Sequence, residues 1–153
     1  MLPGYVTKVR ERLYLGSYQD VIDTEVIEKL KIDAIVSVGK EKHTPENLYD
    51  FPVFRFEIWN ELPTEIEENR DEDIIAAVNK VCALYNEGKI VLLHCISSKN
   101  RSPLIMTAVL IQLGFNNTIE EGLSEIGIYK KLKSMPRLVD RMKRLYDIHR
   151  TVR

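Results

Sequence analysis

The nine residues 94–102 read His-Cys-Ile-Ser-Ser-Lys-Asn-Arg-Ser and contain the residue types of a thiolate site that grips phosphate. An apolar run precedes them at 90–93 and another follows at 103–113, which predicts a buried strand, a tight loop and a buried helix. A loop that turns into a helix N-terminus aims backbone N–H groups and the helix dipole at an anion. In that field the thiol of Cys95 should ionise more readily than a free cysteine, and Arg101 offers a planar fork for two phosphate oxygens. The spacing therefore indicates phosphoryl transfer through a cysteine.

The pattern Cys-x5-Arg-Ser after a histidine and an apolar strand resembles the signature of the cysteine-dependent protein phosphatase superfamily. A second match lies in the N-terminal third of the chain. There the segments 6–9, 13–17 and 32–39 resemble, in their order and spacing, the opening of the dual-specificity phosphatases. The resemblance extends over residues 6–148, nearly the whole chain. It implies that Ser102 hydrogen-bonds the thiolate and that His94 orients the loop without titrating in the mechanism.

The residues 95–101 are expected to have different roles in catalysis and phosphate binding. Cys95 attacks phosphorus as a thiolate and forms a cysteinyl-phosphate, which water then hydrolyses. Backbone N–H groups and the arginine fork hold the equatorial oxygens as charge develops, and the side chains of Lys99 and Asn100 line the rim. The expected phosphate-binding residues are Ile96, Ser97, Ser98, Lys99, Asn100 and Arg101. This chemistry requires no metal and no organic cofactor.

Two positions depart from the family pattern. Ser98 stands where the family usually has a glycine, which suits a backbone that curls around an anion. The family also supplies an aspartic acid that protonates the leaving oxygen, and the aligned position here is Asn60, which cannot donate a proton at neutral pH. Glu61 and Glu65 are the next acids along the same loop, and Glu61 could be the catalytic acid or an ordinary exposed acid. The nearby carboxylates of Asp71 and Asp73 are expected to cap the following helix.

Length and composition bound the class of protein. The chain has 153 residues with 44% hydrophobic and 29% charged residues, which predicts a single soluble domain over 1–153. No apolar stretch reaches the length of a membrane span, and no signal segment is recognised at the start, so we expect no membrane partner. Of the two cysteines, Cys82 falls on the apolar face of a helical stretch and is expected in the core. One required thiolate favours a reducing compartment, and we expect a cytoplasmic monomer.

Apolar periodicity predicts the fold. Strands are expected at 6–10, 13–15, 34–38, 52–58 and 89–94, and helices at 24–31, 71–87, 102–113, 118–127 and 136–150. Strands that alternate with helices predict an α/β sandwich, in which a mostly parallel central sheet of four to five strands is flanked by helices. The loop at 95–101 then lies at the carboxyl end of a central strand, where such sheets bind ligands.

The substrate class is expected to be a phosphoprotein or phosphopeptide. The short chain lacks the recognition loop that deepens the pocket of tyrosine-only phosphatases, and a shallower site would accept phosphotyrosine and phosphoserine or phosphothreonine. One alternative is an RNA 5′-triphosphatase, because Asn100-Arg101 resembles the loop ending of the cysteine-type enzymes that process RNA 5′ ends. Residues 130–153, with nine bases against two acids, could contact nucleic acid or simply form a solvated face.

Another alternative is a pseudophosphatase that binds phosphoproteins without turning them over. Asn60 and Ser98 both favour this alternative, since each replaces a residue that the family uses for catalysis. The intact pair of Cys95 and Arg101 argues against it, because both the nucleophile and the phosphate-binding fork are present.

Overall fold

A computed structural model describes residues 6–39, 48–58, 70–95, 101–127 and 136–148 of the chain. The strands are β1 Thr7–Arg10, β2 Leu13–Gly16, β3 Ala34–Val38, β4 Val53–Phe56 and β5 Val91–His94. The helices are α1 Tyr18–Ile22, α2 Thr24–Leu30, α3 Asp71–Asn86, α4 Arg101–Gln112, α5 Ile119–Ile126 and α6 Pro136–Tyr146.

Within these residues the strands form one five-stranded sheet in the order β1-β2-β5-β3-β4. β1 pairs with β2 in the antiparallel sense, whereas β2, β5, β3 and β4 are mutually parallel. The carboxyl ends of these four strands therefore lie at the same edge of the sheet. That edge is where a doubly covered parallel sheet places its ligand site.

Helices cover both faces of the sheet and bury two apolar cores. In β5, Val91 and Leu93 point into the larger core, which is covered by α3, α4, α5 and α6. Leu92 points to the opposite face and packs with residues of α2 such as Val26 and Ile27. Because a strand buried on both faces must be apolar at every position, the nearly continuous apolar runs of β3 and β5 identify them as inner strands. The expected α/β sandwich is confirmed.

The short helix α1, residues 18–22, was missing from the expected helices. Its five residues are too few for an apolar stripe to stand out, and it is defined instead by a capping box. The Ser17 hydroxyl accepts from the Asp20 N–H, and the Asp20 carboxylate accepts from the Ser17 N–H. The sequence Ser-x-x-Asp was the available signal.

The beginning of α3 also differs from the expectation. Asp71 and Asp73 do not cap the helix, because the N-cap is Arg70, which makes no side-chain capping bond. The two aspartates lie inside the first turn, where a negative charge complements the helix dipole without accepting a capping bond. Asp71 Oδ1 instead lies 3.6 Å from Arg141 Nε of α6. At α5 the N-cap is Thr118, whose hydroxyl accepts from the Glu121 N–H.

Two further expectations concern membrane association and the second cysteine. In the described parts of the chain, no helix combines the length and apolar character needed to cross a membrane. Cys82 is buried in the larger core on α3, as expected, with its Sγ 4.0 Å from the Val109 carbonyl oxygen of α4. Burial raises the pKa of the Cys82 thiol to about 11, so this cysteine stays protonated at neutral pH.

Candidate active site

Cys95 follows β5 directly and is brought against the beginning of α4. Its Sγ lies 3.3 Å from the hydroxyl oxygen of Ser102, although seven positions separate the two residues. Both side chains are buried, with Cys95 2% exposed and Ser102 fully enclosed. A hydroxyl at this distance can donate to a thiolate and stabilise its charge. This contact is what the family resemblance implied for Ser102.

Arg101 is the first residue of α4, and its guanidinium is also buried, with the residue 4% exposed. Its Nη1 donates to the main-chain oxygen of Ile58 at 3.2 Å. A buried charge must be hydrogen-bonded, and this carbonyl supplies one partner. Ile58 lies two residues beyond β4 and two residues before Asn60, the expected general-acid position. The arginine therefore links the beginning of α4 to the chain that leads towards that position.

His94, the last residue of β5, supports Cys95 from within the sheet. Its Nδ1 lies 3.3 Å from the Cys95 carbonyl oxygen, and because a carbonyl only accepts, Nδ1 must carry the proton. Burial lowers the pKa of His94 to about 4, while the bond to the Cys95 carbonyl and the Asp20 carboxylate act to raise it and Arg55 acts to lower it. The imidazole is therefore neutral near pH 7, which agrees with a supporting role.

A row of polar residues crosses the sheet beside His94. The strand register aligns neighbouring positions of β2, β5, β3 and β4, which are Gly16, His94, Ser37 and Arg55. All four lie on the sheet face that α1 and α2 cover. Each is two positions beyond a residue of the same strand that packs in the smaller core, and alternate residues of a strand share a face. The buried carboxylate of Asp20 in α1 lies over Gly16, the member of this row that belongs to β2.

Sequence reasoning missed Asp20 and Arg55 as members of the site. The capping box of α1 would have located Asp20, and strict alternation along β4 would have placed Arg55 on the same face as Val53. Both signals are local, whereas their relation to His94 depends on strand order, which the sequence pattern did not specify.

The structure brings together four of the expected site residues: His94, Cys95, Arg101 and Ser102. The expected phosphate-binding residues Ile96, Ser97, Ser98, Lys99 and Asn100 lie outside the described residues, as do the acid candidates Asn60, Glu61 and Glu65. Their roles remain predictions. The described residues place Cys95 directly after β5 and Arg101 at the start of α4, with five residues of sequence between them.

Comparison with known proteins agrees with this arrangement. Residues 13–144 match the family model described as the dual-specificity phosphatase catalytic domain. A dual-specificity protein phosphatase of Monkeypox virus is 28% identical over 109 residues, which are 71% of this chain and 60% of that protein. A probable dual-specificity protein phosphatase of Dictyostelium discoideum is 30% identical over 105 residues, 65% of this chain and 34% of that protein. The matched region thus spans less than two thirds of the length of either relative.

Solved structures share the fold at low sequence identity. The human tyrosine phosphatase-like serine/threonine/tyrosine-interacting protein superposes with a TM-score of 0.74 and 16% identity, covering 92% of this chain and 94% of that one. A mouse dual-specificity phosphatase complexed with zinc tungstate gives a TM-score of 0.68 and 15% identity, covering 94% and 89%. The family model covers most of the chain and includes the whole loop between Cys95 and Arg101, and the chain therefore belongs to the dual-specificity phosphatase family.

Proposed function

We propose that this protein is a phosphatase that hydrolyses phosphotyrosine, and phosphoserine or phosphothreonine, in proteins through a cysteinyl-phosphate intermediate. The observation that carries the proposal is the contact of 3.3 Å between Cys95 Sγ and Ser102 Oγ. Arg101, which comes immediately before that serine, is the first residue of α4. A proposed nucleophile, a hydroxyl that can stabilise its thiolate and a cationic anchor for an anion thus lie together at the beginning of α4.

The proposed reaction has two steps. In the first, the Cys95 thiolate donates an electron pair to phosphorus, and the bond between phosphorus and the substrate oxygen breaks as that oxygen takes up a proton from a general acid. In the second, water attacks the cysteinyl-phosphate and the sulfur leaves as a thiolate, releasing inorganic phosphate. The Ser102 hydroxyl stabilises this thiolate by donating to sulfur, and Arg101 holds the phosphoryl oxygens in both steps.

The phosphoprotein substrate class is supported by the family and by the charges of α6. The RNA alternative depended partly on the basic C-terminal region. In that region Lys143 Nζ lies 2.7 Å from Glu120, and Arg141 Nε lies 3.6 Å from Asp71. These bases are thus partly neutralised by acids of the same chain, which lowers their attraction for a polyanion.

The experiment compares hydrolysis of p-nitrophenyl phosphate by the wild-type protein, Cys95→Ser and Cys82→Ser. This substrate has a good leaving group and needs little help from a general acid. We expect turnover by the wild-type and Cys82→Ser proteins and none by Cys95→Ser, which should still bind vanadate. Turnover by Cys95→Ser at the wild-type rate would refute the covalent mechanism. Absence of turnover in the wild-type protein, with vanadate binding retained, would identify a pseudophosphatase.

A second comparison tests the substrate class. Phosphotyrosyl, phosphoseryl and phosphothreonyl peptides are offered to the wild-type protein beside a 5′-triphosphorylated RNA. We expect release of phosphate from the peptides. A higher kcat/KM for the RNA than for every peptide would replace the phosphoprotein proposal by the RNA 5′-triphosphatase alternative.

A further inference from the structure

Asp20 is a buried carboxylate for which the proposed reaction has no use. It is 2% exposed, and its Oδ2 accepts two hydrogen bonds from Ser17, from the N–H at 2.8 Å and from the hydroxyl at 2.9 Å. Burying a carboxylate is costly even when it is hydrogen-bonded. Asp23 provides the comparison, because it caps the next helix with its side chain on an exposed surface. Capping alone thus does not require burial.

The absence of a side chain at Gly16 lets Asp20 approach the sheet. A Cβ built on Gly16 would lie 3.3 Å from Asp20 Oδ2 and 2.9 Å from a methyl group of Leu92 in β5. The carboxylate thus occupies the space over Gly16, on the same face of the sheet as Leu92 of β5. Gly16 is the register partner of His94, and neighbouring strands lie about 4.8 Å apart. Asp20 therefore lies over the strand next to His94, at the register position that pairs with His94.

His94 consequently lies between opposite charges on its face of the sheet. The carboxylate of Asp20 comes from α1 on the β2 side, and Arg55 comes from β4 on the β3 side. Both act electrostatically on His94, in opposite directions. A neutral imidazole has a strong dipole, so a field between fixed charges favours one ring orientation and one tautomer. The observed orientation is the one in which Nδ1–H donates to the Cys95 carbonyl.

We propose that Asp20 is a positioning residue that holds His94 in the orientation that fixes the main chain of Cys95 at the start of the phosphate loop. The proposal rests on the proposed function, since it concerns the same nucleophile. The Ser17 cap holds the Asp20 carboxylate over Gly16, this carboxylate acts electrostatically on the His94 ring, and His94 Nδ1 donates to the Cys95 carbonyl. Misplacing a reacting group by about 1 Å can cost about 10²-fold in rate, so a support of this kind matters to the reaction.

The test compares Asp20→Asn with the matched control Asp23→Asn, which removes a carboxylate from the neighbouring helix cap. Two-bond ¹H–¹⁵N spectra report the tautomer of each of the three histidines, with the His94 signals assigned by their loss in His94→Asn. We expect Asp20→Asn to shift His94 away from a pure Nδ1–H tautomer. We expect no change in Asp23→Asn. An unchanged His94 spectrum in folded Asp20→Asn would overturn the proposal.

The pH profile of kcat/KM for p-nitrophenyl phosphate gives an independent readout. If Asp20 positions the loop, Asp20→Asn moves the thiol out of the helix field, so the acidic limb shifts to higher pH and kcat/KM falls by about 10- to 100-fold. If Asp20 acted only through its charge, removing that charge would favour the thiolate and shift the limb to lower pH. A purely structural role would lower the unfolding temperature and leave the limb in place. Either of the last two results would contradict the proposal.

A milder variant keeps the test decisive if Asp20→Asn does not fold. Ser17→Ala retains the Asp20 charge and removes the hydroxyl that donates to the carboxylate at 2.9 Å and accepts from the Asp20 N–H. We expect the same changes in the His94 spectrum at smaller amplitude, and unchanged His94 signals in this variant would count as refutation. Because the spectrum can be read in a protein that turns nothing over, failure of the proposed function would appear as inactivity of the wild-type protein and leave this test intact.

Discussion

Arg101 donates from Nη1 to the main-chain oxygen of Ile58 across 3.2 Å, and this bond joins the first residue of α4 to the chain just beyond β4. The two residues are next to segments with different expected tasks, phosphate binding and proton donation. Arg101 follows the segment that is expected to bind phosphate, and Ile58 precedes the segment in which the general acid is expected. Because a guanidinium has five donors in a fixed plane, one N–H can hold Ile58 while others face the loop. The side chain that is expected to hold phosphate thus also contacts the chain that leads towards Asn60.

Replacing Arg101 by lysine should therefore weaken oxyanion binding. Lysine keeps the charge but loses the planar fork, and a charge-assisted hydrogen bond contributes about 1.5–3 kcal/mol. We expect the Kd for vanadate or tungstate to rise by about 10- to 100-fold in Arg101→Lys, measured by calorimetry. Arg12→Lys is the matched control, because Arg12 also donates to main-chain carbonyls, those of Tyr85 and Lys89, but precedes β2 at its amino end. Equal weakening in both variants would contradict the assignment.

Ser102→Ala should slow the second step of the reaction more than the first. The hydroxyl 3.3 Å from Cys95 Sγ stabilises the departing thiolate, and losing a bond to a charged group costs about 10- to 100-fold in rate. We expect a burst of p-nitrophenol close to one equivalent of enzyme, followed by slow turnover, in rapid-mixing experiments. Thr107→Ala removes another buried hydroxyl of α4, one that donates to the Leu104 carbonyl, and should show no burst. A Ser102→Ala protein with unchanged kinetics would exclude the proposed role.

The sequence predicted the fold well because apolar runs and the Cys95–Arg101 spacing can each be read within a single short segment. The continuous apolar runs of β3 and β5 and the apolar stretch of α4 are almost entirely buried, so each element could be recognised alone. Cys95 and Arg101 were found by their spacing, since both belong to one short loop. Asp20 and Arg55 were missed because their proximity to His94 arises from the order β2-β5-β3-β4. No single segment contains that information.

The lowered pKa of His94 makes stability depend on pH in a definite direction. The unfolded chain protonates this imidazole below its ordinary value of 6.5, whereas the folded protein does so only near 4. Stability is therefore lost as pH falls from about 6.5 to about 4 and no further below that. Between pH 7 and pH 4.5 we expect His94 to account for about 2–3 kcal/mol of lost unfolding free energy. Urea unfolding of the wild-type and His94→Asn proteins at pH 7 and pH 4.5 measures this loss. An equal loss of unfolding free energy in the two proteins would contradict the prediction.

The two cysteines should differ sharply towards an alkylating reagent. Burial raises the pKa of Cys82 to about 11, so almost none of it is the reactive thiolate at pH 7. Cys95 Sγ lies 3.3 Å from Ser102 in the first turn of α4, and the N-terminus of a helix is a place where negative charge is stabilised. We expect iodoacetamide to add one group per chain, at Cys95 by peptide mass spectrometry, and vanadate to protect it. Modification of Cys82 first, or failure of vanadate to protect, would place the reactive thiol elsewhere.

Replacing Asn60 by an aspartic acid should raise phosphatase activity on peptides. The sequence predicts Asn60 at the position of the family's aspartic acid, and a general acid contributes about 10²–10⁴-fold in rate when the leaving group is poor. If nothing replaces that acid, Asn60→Asp should raise turnover of phosphotyrosyl and phosphoseryl peptides by up to that factor. Turnover of p-nitrophenyl phosphate should hardly change. The ratio of the two rates therefore isolates proton donation from loop binding.

Glu61→Gln and Glu65→Gln complete that experiment. If one of these glutamates already donates the proton, Asn60→Asp will change little, and the glutamine variant will lower the ratio of peptide to p-nitrophenyl phosphate turnover instead. A ratio unmoved in all three variants would mean that the proton comes from elsewhere, with Asp73 in the first turn of α3 as the next acid to replace. Asp71 follows it in priority, because its carboxylate already contacts Arg141 of α6. The alignment of Asn60 with the catalytic aspartate would then be wrong.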